Sequence, residues 1–308
     1  MKLGFRKIAI LLIFSSFLLA SNCHKKKKPE VTIRDRKEQY LENEKDSILN
    51  FIKTHTYSID EDQNFHFDTL TDPSTQHSIY QDAHVLQIAD TNVDDLVYDV
   101  YYLDLAKGTG DSITTCDMVL LGVDLYGFDG TTYMIHNKWY PLWTSVYKPV
   151  VGNLPFYALH IFLPMYKGGA YTANEDGTVN FYGYGNMVLF VPSGLAQFSE
   201  AISVTDTKYL PSYTPFIAQV KTFYVNTDLD QDHVPNVLED LNGDGNPLND
   251  NTDDPDGKDP GNPPNFLDPD DDGDHLKTIY EDTNGNGDPT DDDDDGDGIP
   301  NYLDKDTH

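Results

Sequence analysis

Residues 226–308 hold too few apolar side chains to fold by burying them. Val234, Leu238, Phe266, Ile279, Tyr302 and Leu303 are among the few present. A segment so composed stays open unless something other than the hydrophobic effect closes it. It also carries about half of the 52 acidic residues of this 308-residue chain, whose net charge is −31. The acids recur at fixed spacing. Asp228, Asp230, Asp232 and Glu239 stand at positions 1, 3, 5 and 12 of a loop. Asp270, Asp272, Asp274 and Glu281 repeat that spacing. Asp293, Asp295, Asp297 and Asp304 repeat it again, with Gly298 at position 6. Calcium takes six to eight oxygen ligands; alternate residues of a tight loop turn carboxylates inward, and the twelfth closes the sphere. Two abbreviated loops, Asp240-x-Asn242-x-Asp244 and Asp282-x-Asn284-x-Asn286, begin directly after the closing acids of their neighbours. The spacing therefore predicts structural Ca²⁺ ions that neutralise the acids and supply the folding energy. An acidic tail that only solvates would not keep three such spacings.

These runs resemble thrombospondin type 3 repeats, above all Asp295-Gly-Asp-Gly-Ile-Pro-Asn-Tyr-Leu-Asp304. His233 and His275 stand where such loops carry glycine at position 6. Residues 246–265, rich in Pro, Gly and Asn, interrupt the array and read as flexible.

The opposite end has its own signature. MKLGFRKIAILLIFSSFLLASNC gives a basic start, an apolar run over residues 8–20, small polar residues and Cys23. That is the layout of a secretory signal, and at about thirteen residues the run is short for a membrane span. A cysteine at this place looks like the lipobox of bacterial lipoproteins, with Asn22 departing from it, so Cys23 is the expected lipidated residue. The membrane is then reached through a lipid anchor, in the cell envelope, with the outer membrane as the expected address. The basic residues 24–28 would lie against acidic head groups. Only one other cysteine exists, Cys116, so the mature chain has no disulfide framework. The net charge excludes nucleic acid as a partner, since phosphate binding needs basic surface.

Between these ends the sequence is globular. Residues 34–54 have helical periodicity, with Leu41, Ile48 and Ile52 on one face, the pattern of a docking or spacer helix. Residues 59–95 read as an irregular lead-in with one or two short strands. Residues 97–105 (VYDVYYLDL) alternate as a strand, and Lys107-Gly108-Thr109-Gly110 is a turn. A second strand spans 118–125, and Gly127-Phe128-Asp129-Gly130 turns into extended chain at 131–135. Residues 154–166 read as a helix, with Pro155 in its first turn and Pro164 stopping it. Residues 171–178 form a hairpin insertion. Residues 187–225 then give two strands, each beside a proline turn: Val191-Pro192-Ser193-Gly194, and Pro211 with Pro215 before 216–225.

Taken in order, the Gly-x-Gly turn, the Asp129-Gly130 segment, the glycine after the helix and the V-P-S-x-L-A turn resemble FKBP-type peptidyl-prolyl cis-trans isomerase domains over residues 97–225. The resemblance implies an α+β fold: a curved antiparallel sheet wrapped on one short helix, preceded by a helix and followed here by an irregular calcium-loop array. The implied divisions are 1–23 signal with lipidated Cys23, 24–58 basic tether and helix, 59–225 FKBP-like domain, and 226–308 calcium-binding tail.

Prolyl isomerisation needs no nucleophile or metal. An aromatic bowl desolvates the X-Pro amide and holds it twisted against a barrier of about 18–20 kcal/mol. By resemblance, the bowl positions fall on Val123 or Leu125, on Tyr133 and Met134, and on Ala158, Gln197 and Ala218. Only Tyr133 is aromatic, although Trp139, Trp143, Phe156, Tyr157, Phe198 and Tyr213 lie close in sequence. The expected function is an isomerase-like folding helper for X-Pro segments of envelope proteins, with weak catalysis. The alternative is a non-catalytic module that binds a proline-containing peptide or envelope protein and carries a calcium-stiffened spacer or adhesive tail. Ser193 does not sit in a G-x-S-x-G elbow, and the ten histidines show no H-E-x-x-H spacing, which sets aside serine hydrolysis and zinc chemistry.

Overall fold

The computed structural model describes residues 33–136, 140–151, 154–199, 201–205, 208–259 and 261–307. Cys23, the basic patch and Trp139 lie outside the described residues. Arg34–His308 falls in one unit, a mixture of antiparallel sheets with few helices.

It opens on a helical run. Asp35 caps α1 (Arg36–Glu38) by accepting the Glu38 N–H at 2.8 Å. A π-helical stretch, Gln39–Glu44, leads into α2 (Lys45–Thr54). Its wider turn shifts the helix face by one residue. Tyr40 is therefore buried while Leu41 is 45% exposed, which corrects the expectation that Leu41 shares the face of Ile48 and Ile52. Those two, with Phe51, are buried in one apolar cluster with Leu103, Val188, Phe190 and Ile217.

Next come β1 (His55–Ile59) and β2 (Phe65–Thr69), which pair as a hairpin. A single turn, α3 (Ile79–Asp82), is closed by a capping box between Ser78 and Gln81 and leads to β3 (His84–Ala89). The chain continues through β4 (Val97–Lys107), β5 (Met118–Tyr126), β6 (Thr132–His136), β7 (Leu142–Ser145), β8 (Val150–Val151), β9 (Leu154–Pro155) and α4 (Tyr157–Phe162). After these follow β10 (Ala170–Ala173), β11 (Val179–Tyr182), β12 (Gly185–Val191), β13 (Ile202–Thr205), β14 (Lys208–Leu210) and β15 (Phe216–Asn226). The hairpin insertion is β10 and β11, closed by a turn with Gly177 at φ +83°.

The main sheet has the order β3-β4-β12-β15-β5-β6, with β7 also on β5, every pair antiparallel. Leu189, Ala218 and Leu125 stand opposite one another on three neighbouring strands. They face a core completed by Ala158, Leu159 and Phe162 of α4. Val188, Phe190 and Ile217, one residue out of step, face the α2 cluster instead. This is the two-residue alternation of strands with both faces covered.

Pro155 is not in the first turn of α4. Leu154–Pro155 pairs with Val150–Val151 as a strand, and the helix begins at Tyr157. Phe156 breaks the run: its N–H donates to Pro149 O at 3.0 Å, and its ring is buried edge-on against Phe216 at 5.4 Å. Beyond β15 the described residues form short 3₁₀ turns, at Pro247–Asn249, Asn265–Leu267, Thr278–Tyr280, Pro289–Asp291 and Asn301–Leu303.

Candidate functional site

Two places are candidate sites: the positions that resemblance assigns to a bowl, and the acidic loops. Of the bowl positions, Met134 stands opposite Leu125 and Leu125 opposite Ala218, so adjacent strands bring these three together. Ala158 joins them in the same core. Val123, Leu125, Ala158 and Ala218 have no exposed surface and Met134 has 1%. Leu210, Phe156 and Phe216 are buried in the same cluster. Tyr133 is half-buried, and burial raises its hydroxyl pKa. Gln197 is half-buried beyond the Ser193–Leu195 turn.

The other aromatic rings are dispersed. Phe198 and Tyr213 meet edge-on at 4.9 Å, and Arg36 and Arg34 lie over them at 4.5 and 4.6 Å. Trp143 and Tyr157 are on the surface. Trp143, Tyr224 and Tyr171 form an aromatic strip, with ring centroids 6.2 and 5.4 Å apart. A cleft of about 160 Å³ opens between the outer side of α4 (Tyr157, His160, Ile161) and Ile88, Asp90 and Leu195.

The helical run braces the proline turns. Arg36 Nη1 donates to Asp90 Oδ2 at 3.1 Å and to Gly194 O at 2.9 Å, and the Tyr98 hydroxyl donates to the same Asp90 oxygen at 2.6 Å. Glycine is required at 194, because a Cβ there would lie 2.0 Å from the Tyr98 hydroxyl. Glu44, from the end of the π turn, holds Ser193.

In the tail, carboxylate oxygens of Asp228, Asp230 and Asp232 lie within 4.8 Å of one another, as do those of Asp270, Asp272 and Asp274, and those of Asp293, Asp295 and Asp297. The first two clusters are partly or fully buried and the third is exposed. Glu281 is buried, and its carboxyl is pushed up to about 8, first by desolvation and then by Asp272, Asp274 and Asp270. It faces the second cluster as a closing acid would. Asp304 instead accepts from the Asp306 N–H and the Thr307 hydroxyl. His233 and His275 adopt φ of +81° and +87°, close to Gly298 at +96°. The loop geometry is kept at the expense of a left-handed non-glycine backbone.

The abbreviated loops are built alike. Asp240 accepts the Asp244 and Gly245 N–H groups, and Asp282 accepts those of Gly285, Asn286 and Gly287. Asn242 and Asn284 each donate from backbone and side chain to one oxygen of Asp250 and Asp292 respectively. The other oxygens, Asp250 Oδ2 and Asp292 Oδ2, are buried without a hydrogen-bond partner. These two acids, missed in the sequence, occupy the closing position. The signal was present: each stands ten residues after the acid that opens its loop.

Described residues of the interruption at 246–265 carry the same hydrogen bonds as the loops. Asn236, Thr278 and Asn301 each donate a backbone N–H to the residue before their loop (Thr227, Pro269, Asp292). Their side chains accept from the second loop residue (Leu229, Asp271, Asp294). Asn265 does the same with Asp250 O and the Thr252 N–H. Residues 251–268 are thus an enlarged member of the same series, ending Asn-Phe-Leu-Asp where the last loop ends Asn-Tyr-Leu-Asp. The array rests against the end of β5: Asn236 Nδ2 donates to Asp117 Oδ1 at 3.1 Å, and the Cys116 thiol meets Asp240 Oδ2 at 3.7 Å.

Residues 229–287 match the model of a family described as BamM C-terminal. No curated protein matches the chain. Solved structures similar to it include FkpA from Escherichia coli, at 17% identity over 42% of this chain and 48% of that one, with a TM-score of 0.30. A peptidyl-prolyl cis-trans isomerase from Pseudomonas syringae is similar at 16% over 41% and 75%, with a TM-score of 0.29. The three FKBP domains of wheat FKBP73 are similar at 15% over 47% and 51%, with a TM-score of 0.32. The chain thus spans about half the length of the first and last of these.

Proposed function

We propose that this chain is an FKBP-like module of the cell envelope that binds a protein partner without isomerising it, and that calcium orders its tail. The observation that carries this reading is the burial of the bowl: Ala158 and Ala218 have no exposed surface and Met134 has 1%. An X-Pro amide is desolvated against exposed apolar side chains, and these three bowl positions offer almost none. The exposed strip of Trp143, Tyr224 and Tyr171 supports partner binding, since aromatic residues are enriched where proteins meet. Buried carboxylate oxygens without partners support the calcium reading, because an isolated buried charge is too costly to persist. The cell envelope, and within it a lipid anchor at Cys23 in the outer membrane, is supported by residues 1–23.

A protease-coupled assay on an X-Pro peptide tests the first half. The expected rate equals the uncatalysed one, and turnover near that of an active FKBP would overturn the reading. A second reading, a weakly catalytic folding helper for X-Pro segments of envelope proteins, is favoured by the apolar cleft beside α4. The same assay separates the two, since only the second predicts a measurable rate that Tyr157→Ala abolishes.

A further inference from the structure

We propose that Asp271, in the loop opened by Asp270, reaches across the array to ligate a calcium ion held by Asp232 and Glu239 of the first loop, so that one ion fastens two distant loops together. The inference rests on the calcium reading of the tail but concerns a site that the loop spacing does not assign. Position 2 of a 1-3-5-12 loop has no ligand role; alternate residues project to opposite sides, so while Asp270, Asp272 and Asp274 converge, Asp271 points away.

It points at the first loop. One carboxylate oxygen from each of Asp232, Glu239 and Asp271 lies within 4.8 Å of the others. Two oxygens on one calcium ion, each at 2.3–2.6 Å, are at most about 5 Å apart, so the spacing suits a shared ion. The three residues are 0%, 0% and 1% exposed. Their hydrogen bonding is complementary to a metal. Asp232 uses Oδ1 to accept the Val234 N–H at 2.8 Å, and Asp271 uses Oδ2 to accept the Thr278 hydroxyl at 3.1 Å. The remaining oxygens, Asp232 Oδ2, Asp271 Oδ1 and both of Glu239, are buried with no hydrogen-bond partner. Among the described residues none of the three has a lysine or arginine partner. Three buried carboxylates with no counter-charge must be neutralised, and a divalent cation does so while engaging their unpaired oxygens. An all-oxygen, all-carboxylate set selects a hard ion such as calcium over zinc or copper.

The test uses the full chain, stripped of metal and titrated with Ca²⁺ by equilibrium dialysis, then with Tb³⁺ under tyrosine excitation. Tyr302 is buried beside the three acids and serves as the emission donor. Asp271→Asn is expected to lower the calcium count by one or weaken one site at least tenfold, and to cut the Tb³⁺ emission that Tyr302→Phe also removes. Asp295→Asn, in the exposed last loop, should lose a different ion and keep that emission. Unchanged count, affinity and emission in Asp271→Asn would overturn the cross-loop site while leaving the calcium reading intact. A wild-type chain that binds no calcium would sink both. Should Asp271→Asn fail to fold, Thr278→Val removes the hydroxyl that donates to the Asp271 carboxylate and accepts its N–H. It is expected to weaken the same site several-fold, and no change there counts against it.

Discussion

Glu44 Oε1 accepts the Ser193 hydroxyl at 2.5 Å and its Oε2 accepts the Ser193 N–H at 2.9 Å. Gln39 Nε2 donates to the same Oε1 at 2.9 Å. A side chain from the N-terminal helical run thus satisfies the turn between β12 and the second proline segment, 149 residues away. Glu44→Ala leaves a buried N–H and hydroxyl without acceptors and is expected to cost about 3 kcal/mol in denaturant unfolding.

The same carboxylate sets a pH dependence. Burial raises the pKa of Glu44 above its ordinary value of 4.5 against the lowering effect of Ser193 and Gln39. A raised folded pKa gives stability that is whole below about pH 4.5 and lost as pH climbs through the folded value. Wild type should therefore lose stability relative to Glu44→Gln as pH rises above about 4.5. Parallel unfolding midpoints across that range would contradict this account.

Restoring the aromatic that an FKBP-type bowl carries at position 158 should harm the protein. Ala158 has no exposed surface and packs among Leu159, Phe162 and the strand residues of the main sheet. Ala158→Trp is expected to cost at least about 3 kcal/mol by overpacking, without any gain in X-Pro turnover. A stable, active Ala158→Trp protein would mean that the core yields where it is drawn closed.

Calcium removal should free the array and expose what it covers. The Cys116 thiol, 1% exposed and pushed up to about 11 by burial first and Asp240 among other causes, sits under the tail. Chelation is expected to speed its alkylation by about tenfold or more, as local opening replaces burial. Protease should then cut within residues 226–307 while the β-sheet region survives. Equal cleavage with and without Ca²⁺ would refute a metal-ordered tail.

The left-handed histidines offer a gain. At His233 and His275 a glycine would remove the steric penalty of a positive φ, about 1 kcal/mol each. His275→Gly is therefore expected to tighten calcium binding in its loop by about fivefold, read by titration.

What the sequence disclosed and what it hid divide along one line. Positions 1, 3 and 5 of each loop are near neighbours in the chain, so their convergence could be read from spacing. Asp271 could not, because its partners Asp232 and Glu239 belong to another loop. Pro turns and alternating strands showed the order of elements around Pro192 and 216–225. They could not show that Ala158 and Ala218 would lie in one buried cluster with Leu210 and Phe216. The helix at 34–54 was plain, but a π turn, which has no marked sequence signal, moved Tyr40 inward in place of Leu41.

The contact between Asp232 and Asp271 also stores length. Their carboxylates lie within 4.8 Å, yet 38 residues of chain lie between them, enough to reach about 130–140 Å when drawn out. Tension at the C-terminus would meet a short, stiff link until that junction parted, and a long slack one afterwards. The concentration of free calcium would then set the force at which the link lets go.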